Sequence, residues 1–305
     1  MRLTLKGNPL AERRFTRLAV AVAVAAGALL VAPQAMAAPA ARQPAVVHVA
    51  VTKTGLTISP AAVPAGTVRF EVSTTETTSM APGVLRLHGG VPVQQFLADY
   101  VKASSTDPTV RAAGTALIDQ EASYRGGATV TATAPIQFSA VLEPGHYQVF
   151  NYMAALTPYV NDSVRELTVG SWRDGPCPHA DGSILMTGSG TGSRYLTTSK
   201  LRDGNDVLVT NLTAQTNELT WLQLVPGTTD QDVSAFWAAV SQGHAPAKNI
   251  VLTQAAGLAP LSPGYSALFH VGFPPGHYLI TSFMYDRKTG VRGVFQGFWK
   301  IVDVR

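Results

Sequence analysis

Cysteine is almost absent from this chain: Cys177 is the single one in 305 residues. No intramolecular disulfide is available to it, so each domain must be stable through its core alone. Charge is sparse as well. Asp, Glu, Lys and Arg make up 14% against 46% hydrophobic residues, which fits a folded chain held by its own cores. Catalytic signatures are missing too. Thr187–Gly192 is glycine-rich, but it lacks the Lys and following Ser/Thr of a phosphate loop and no amphipathic helix follows, so it reads as a hairpin turn or loop. There is no Gly-x-Ser-x-Gly elbow with suitable partners. The carboxylates Glu71, Glu76, Glu121, Glu143, Glu166 and Glu218 are scattered, with no pair that spacing alone unites. The expectation from these absences is a protein that is not an enzyme.

What is present begins at the N-terminus. Arg2, Lys6, Arg13, Arg14 and Arg17 form a positive segment, Leu18 to Val31 is uncharged and apolar, and Ala35-Met36-Ala37 offers small residues for a signal peptidase. The apolar run is short of the roughly 20 residues that span a bilayer. Residues 1–37 therefore read as a cleaved signal peptide rather than an anchor, and no stable membrane span is expected after cleavage. The Arg13-Arg14 pair is one that twin-arginine export signals also carry. The leader holds five of the 23 cations and one of the 19 acids, so the remainder is formally neutral although the whole chain is +4. The long-range attraction that gathers nucleic acid is missing, and no nucleic-acid partner is expected.

Internal similarity organises the rest. Leu142-Glu-Pro-Gly-His-Tyr-Gln-Val-Phe-Asn-Tyr-Met153 answers Phe273-Pro-Pro-Gly-His-Tyr-Leu-Ile-Thr-Ser-Phe-Met284, and Phe138 and Phe269 precede them at the same offset. Thr67–Val72 answers Asp206–Asn211, Val93, Phe96, Leu97 and Tyr100 answer Val233, Phe236, Trp237 and Val240, and Val164–Val169 answers Trp299–Val304. Four matches in one order argue for a tandem duplication. Alternation at Val68, Phe70 and Val72 predicts half-buried strands, with Pro64-Ala-Gly66, Pro144-Gly145 and Pro275-Gly276 as turns before strands. Tyr147 and Tyr278, just after their turns, match the corner tyrosine of Greek-key sandwiches. Spacing of i, i+3, i+4, i+7 predicts one helix per copy packed on the sandwich, and the first copy carries a longer excursion, Ser104 to about Thr129, with room for a second helix around Val110–Tyr124. The resulting division is 1–37 signal peptide, 38–45 flexible start, 46–170 first domain, 171–182 linker and 183–305 second domain.

This order of turns, strands and helix resembles the cupredoxin-like family of exported bacterial proteins, most closely in residues 183–305. The segments that carry the resemblance are Asn217-Glu-Leu-Thr-Trp-Leu-Gln-Leu-Val-Pro-Gly, Leu261-Ser-Pro-Gly264, Pro275-Gly-His-Tyr278 and Gly297-Phe-Trp-Lys-Ile301. It implies an all-β fold of two tandem Greek-key β-sandwiches, each with a short inserted helix. It also implies where copper would be held, by two imidazoles, a thiolate and usually a thioether. The first histidine position falls on Asn217, the cysteine on Ser282 (Asn151 in the first copy), the second histidine near Gly293 and the methionine on Phe298. None of those ligand types stands there, so no type-1 copper and no other cofactor is expected.

Other metal-ligating candidates are dispersed. Cys177-Pro-His179-Ala-Asp181 combines thiolate, imidazole and carboxylate within the linker; His88 lies near the start of a helix and could face the open end of the first domain; His146 and His277 sit beside the corner tyrosines, where strand alternation would turn them opposite the copper position. Each also reads as an ordinary turn or loop residue. The functional expectation is an exported, extracytoplasmic binding or scaffold module of the cell envelope or medium, holding an envelope protein, a glycan or a small ligand. The alternative is a metal-handling protein with a site rebuilt from Cys177, His179, His88, His146 or His277.

Overall fold

The described residues form sixteen strands, many of them alternating buried and exposed side chains. A computed structural model describes residues 43–154, 156–173, 178–198 and 200–305. The expected signal peptide (1–37), most of the expected flexible start and Cys177 lie outside the described residues. The first half contributes β1 (Ala45–Val51), β2 (Leu56–Ser59), β3 (Ala62–Thr74), β4 (Pro82–Leu87), β5 (Ala122–Gly127), β6 (Ile136–Leu142), β7 (Gly145–Asn151) and β8 (Val164–Trp172). The second contributes β9 (Gly182–Thr187), β10 (Arg194–Thr197), β11 (Asp206–Asn211), β12 (Asn217–Leu224), β13 (Val251–Leu261), β14 (Ser266–His270), β15 (Gly276–Thr281) and β16 (Trp299–Val304). The 171–182 segment expected as linker thus has strand at both ends.

The strands of one half pair as those of the other do. β1 pairs antiparallel with β2 and parallel with β3, while β9 pairs antiparallel with β10 and parallel with β11. β4 lies between β5 and β7, and β12 between β13 and β15. The halves join edge to edge: β6 meets β14 with Phe138 opposite Phe269, and β5 meets β13 at Arg125 and Leu261. One sheet therefore runs β2-β1-β3-β6-β14-β11-β9-β10 and the other β8-β7-β4-β5-β13-β12-β15-β16. The chain is an all-β sandwich of cupredoxin-like kind.

The turn expected at Pro64-Ala-Gly66 is instead part of β3. This strand pairs with β8 through Ala62, Val63 and Ala65, shifts register there, and continues against β6 from Gly66. Proline gives no N–H to a ladder and Gly66 adopts φ +119, so these residues bend one long strand from one sheet into the other.

Between the sheets lies a continuous apolar core. Phe70 stacks on Phe138 at 4.8 Å, and fully buried Trp221 packs among Phe269, Phe273 and Tyr278. Both corner tyrosines form as expected: Tyr147 Oη donates to Glu143 O at 3.1 Å and Tyr278 Oη to Pro274 O at 2.8 Å. Among the described residues, three α-helices cover the outer face of the second sheet. They are α1 (Val93–Ala103) and α2 (Pro108–Glu121) in the first half and α3 (Asp230–Ser241) in the second. Asp107 caps α2 by accepting from Thr109 N and Val110 N, with Pro108 in the first turn. Thr229 and Asp232 form a capping box on α3. Phe96 and Leu97 bury against Tyr124 and Phe150, while Trp237 packs edge-on to Phe236 and Phe283.

Candidate functional site

The four positions that the resemblance assigns to copper ligands do meet in space. Ser282 Oγ donates to Asn217 Oδ1 at 3.1 Å, Val294 N donates to Ser282 O, and Phe298 N donates to Gly293 O. A methyl group added at Gly293 would touch both the Phe298 ring and Ser282 O at 3.2 Å. Asn217 Nδ2 donates in turn to Thr213 Oγ1 at 2.8 Å, and Thr213 Oγ1 donates to Asn211 Oδ1 at 2.7 Å. Phe298 stacks on Tyr195 at 4.3 Å. An amide, a hydroxyl, a glycine and a phenyl ring offer no imidazole, thiolate or thioether, so these residues do not fit type-1 copper. In the first half the cysteine position is Asn151, fully buried, whose Oδ1 accepts from Ala81 N and Met153 N.

The dispersed candidates stay dispersed. His88 is exposed and contacts Gln120 O and Ser123 Oγ. His146 Nδ1 pairs with Glu166 at 2.9 Å, and His277 bridges Asp303 at 2.8 Å and Thr228 O at 2.9 Å. Burial opposes the charge on His277, but Asp303 and the Thr228 carbonyl outweigh it and raise its pKa. His179 lies 3.6 Å from Asp181. Its sequence neighbour Cys177 falls outside the described residues. Among the described residues, no group of three His, Cys, Asp or Glu side chains gathers to hold a metal ion.

A different set of residues converges where the first half's helices face the second half. Arg111 of α2 donates to Gly290 O at 3.1 Å and lies over the Tyr285 ring at 4.2 Å. Thr216 Oγ1 donates to Asp119 Oδ1 at 2.6 Å. These contacts dock the helical excursion on the loops that follow β11 and β15. Beside them opens a cleft of about 360 Å³, lined by Tyr100, Tyr152, Glu218, Phe283, Met284 and Arg292 among others. Tyr100 and Tyr152 stack at 5.5 Å. Glu218 Oε1 accepts from Phe283 N at 2.9 Å. Burial raises the Glu218 pKa, against the Phe283 hydrogen bond and the Arg292 charge, which lower it. The Tyr100 and Tyr152 hydroxyls are pushed up by burial, with a contribution from the Glu218 charge. A perturbed carboxyl in a cleft with aromatic walls is the strongest site candidate of the chain. Sequence spacing does not reveal it, because its walls come from both halves.

No family model matches the chain. No curated protein matches it. Solved structures do, as likenesses of fold. Auracyanin from Roseiflexus castenholzii is 14% identical over 40% of this chain and 94% of its own, at a TM-score of 0.24. Copper nitrite reductase from Nitrosomonas europaea is 12% identical over 86% and 94%, at 0.22, and a multicopper oxidase is 10% identical over 85% and 88%, at 0.21. At such identities and scores, nothing of their copper sites or activities transfers to this chain. The expectation of a non-enzyme is nevertheless corrected here. Enzymes, a nitrite reductase and an oxidase, stand among the matched structures, so missing catalytic motifs on this scaffold do not make the chain a non-enzyme.

Among the described residues, no helix is long and apolar enough to cross a membrane.

Proposed function

We propose that the protein is an exported tandem pair of cupredoxin-like domains that binds a small molecule in the Glu218 cleft, outside any type-1 copper site. The observation that carries this reading is the carboxyl of Glu218, raised in pKa by burial and set in a cleft with two stacked tyrosines, Phe283 and Met284. Removing an ionisable group from water is unfavourable unless partners compensate, and the Phe283 N–H, the Arg292 charge and Thr220 together leave the carboxyl raised. The leader-like N-terminus supports export, and the matching strand order of the halves supports duplication.

The test uses neutral p-cresol as probe, followed by saturation-transfer NMR on the purified chain. Transfer should occur with the wild type and vanish in Ser104→Trp, which places an indole at the cleft rim lined by Ser104. Equal transfer in both proteins would place binding elsewhere. Export is checked on its own by the N-terminal residue of protein from the medium or envelope. Ala38 is expected, and an intact Met1 in the envelope would sink the export reading.

A further inference from the structure

The two charged residues of the cleft do not satisfy one another. Glu218 and Arg292 both line it, yet they form no ion pair, although the charge of Arg292 is felt at the carboxyl. Glu218 has its Phe283 N–H partner on one oxygen. The Arg292 guanidinium lies 4.9 Å from the centre of the Tyr285 ring, and among the described residues it makes no side-chain hydrogen bond or salt bridge. A fork of donors that matches carboxylate geometry is thus left without an acceptor. Around the pair, the walls are aromatic and apolar.

Resting on the small-molecule reading above, we propose that the cleft takes a zwitterion with an apolar or aromatic body, of the α-amino acid class. The ammonium of the ligand meets Glu218, its carboxylate meets Arg292, and its body lies along Tyr100, Tyr152, Phe283 and Met284. A singly charged ligand completes one of these pairs and leaves the other protein charge half-desolvated, which is costly. A neutral ligand completes neither. A carboxylate on guanidinium adds two parallel charge-assisted hydrogen bonds, so the discrimination comes from geometry as well as charge. The volume of about 360 Å³ lies at the small end of the roughly 300–1,000 Å³ range of ligand pockets, which suits a single amino acid better than a peptide.

The experiment compares four probes on the wild-type chain by saturation-transfer NMR and calorimetry: L-phenylalanine, phenethylamine, 3-phenylpropanoate and p-cresol. L-Phenylalanine should bind at least tenfold more tightly than any of the other three. Glu218→Gln, which keeps an acceptor for Phe283 N, should weaken L-phenylalanine and phenethylamine and spare 3-phenylpropanoate. Arg292→Gln should weaken L-phenylalanine and 3-phenylpropanoate and spare the amine. The probe series on wild type decides the matter even if a variant fails to fold. If p-cresol binds, is lost in Ser104→Trp, and the zwitterion gains nothing over it, the zwitterion inference falls while the cleft reading stands. If no probe binds the wild type, both fall.

Discussion

Replacing Asn151 by alanine isolates the structural role of a position that the cupredoxin resemblance gives to a metal ligand. Asn151 is fully buried at the end of β7. Its Oδ1 accepts from Ala81 N at 3.3 Å and Met153 N at 3.2 Å, and its Nδ2 donates to Thr52 O at 3.4 Å. Alanine strands both N–H groups and the carbonyl. A buried group left without a partner costs about 1–3 kcal/mol. These bonds are long and Met153 is exposed at 56%, so only the Ala81 N–H and part of the remainder count in full. The expected loss is about 2 kcal/mol. For a chain of this size that lowers Tm by roughly 4 °C, at about 2 °C per kcal/mol.

Asn151→Leu separates the two physical causes. Leucine restores volume but no hydrogen bond, so it should remain nearly as destabilised as alanine if stranded polar groups dominate. If a cavity dominates, leucine should recover most of the loss. Calorimetric melts and urea titrations of the three proteins decide between them. A shift under about 2 °C for Asn151→Ala, or full rescue by leucine, would refute the account of Asn151 as the polar peg of the first half.

Three further outcomes follow from single contacts. Tyr147→Phe and Tyr278→Phe each remove a corner hydrogen bond and should cost about 1 kcal/mol by urea unfolding, additively because the corners lie in different halves. Gly114→Ala places a methyl 2.2 Å from Ala103 N where α1 and α2 touch, so helix displacement should cost about 1–3 kcal/mol, visible as a lowered Tm. His277 has a folded pKa raised above its usual 6.5, so its stabilising contribution is complete below that value and fades as pH rises through the folded pKa. The stability difference between wild type and His277→Gln should therefore be larger at pH 5.5 than at pH 8, and a difference that grows with pH would reverse the reasoning.

Much of the fold was legible because its determinants are local. Spacing at Val93, Phe96, Leu97 and Tyr100 produces α1, and the same pattern at Val233, Phe236 and Trp237 produces α3. Pro-Gly-x-Tyr produces a corner twice because a hydroxyl and a carbonyl four residues apart suffice for it. The path of β3 was misread, since Pro64 and Gly66 signal a break equally well when a strand merely changes sheets. The Glu218 cleft was not legible at all. Its stacked tyrosines, Tyr100 and Tyr152, come from α1 and the end of β7 in the first half, whereas Tyr285 and its charges come from the second half. The available signal was asymmetry: only the first half carries the excursion after its helix, and that excursion supplies Arg111 and Asp119 to the docking contacts.

The neighbouring positions 217 and 218 explain how one strand end serves two ends. Successive residues of a strand face opposite sides of its sheet. At the start of β12, Asn217 turns toward Ser282 and Thr213, where the resemblance places metal ligands, and a closed chain of neutral hydrogen bonds takes up that space. Every polar atom named there has a partner, and Phe298 and Tyr195 fill what remains. Restoring a metal at that place would require new ligands at four positions and the loss of this network together. Glu218 lines the cleft with Tyr100 and Tyr152, and its charge reaches both of those hydroxyls and that of Tyr195. The α2 excursion converts that outer face from open surface into a walled cleft, because Arg111 and Asp119 hold the helices over the loops beside it. Thus the side of the strand end that would serve copper is internally satisfied, and the side that carries an under-compensated charge is the one that the added helix encloses.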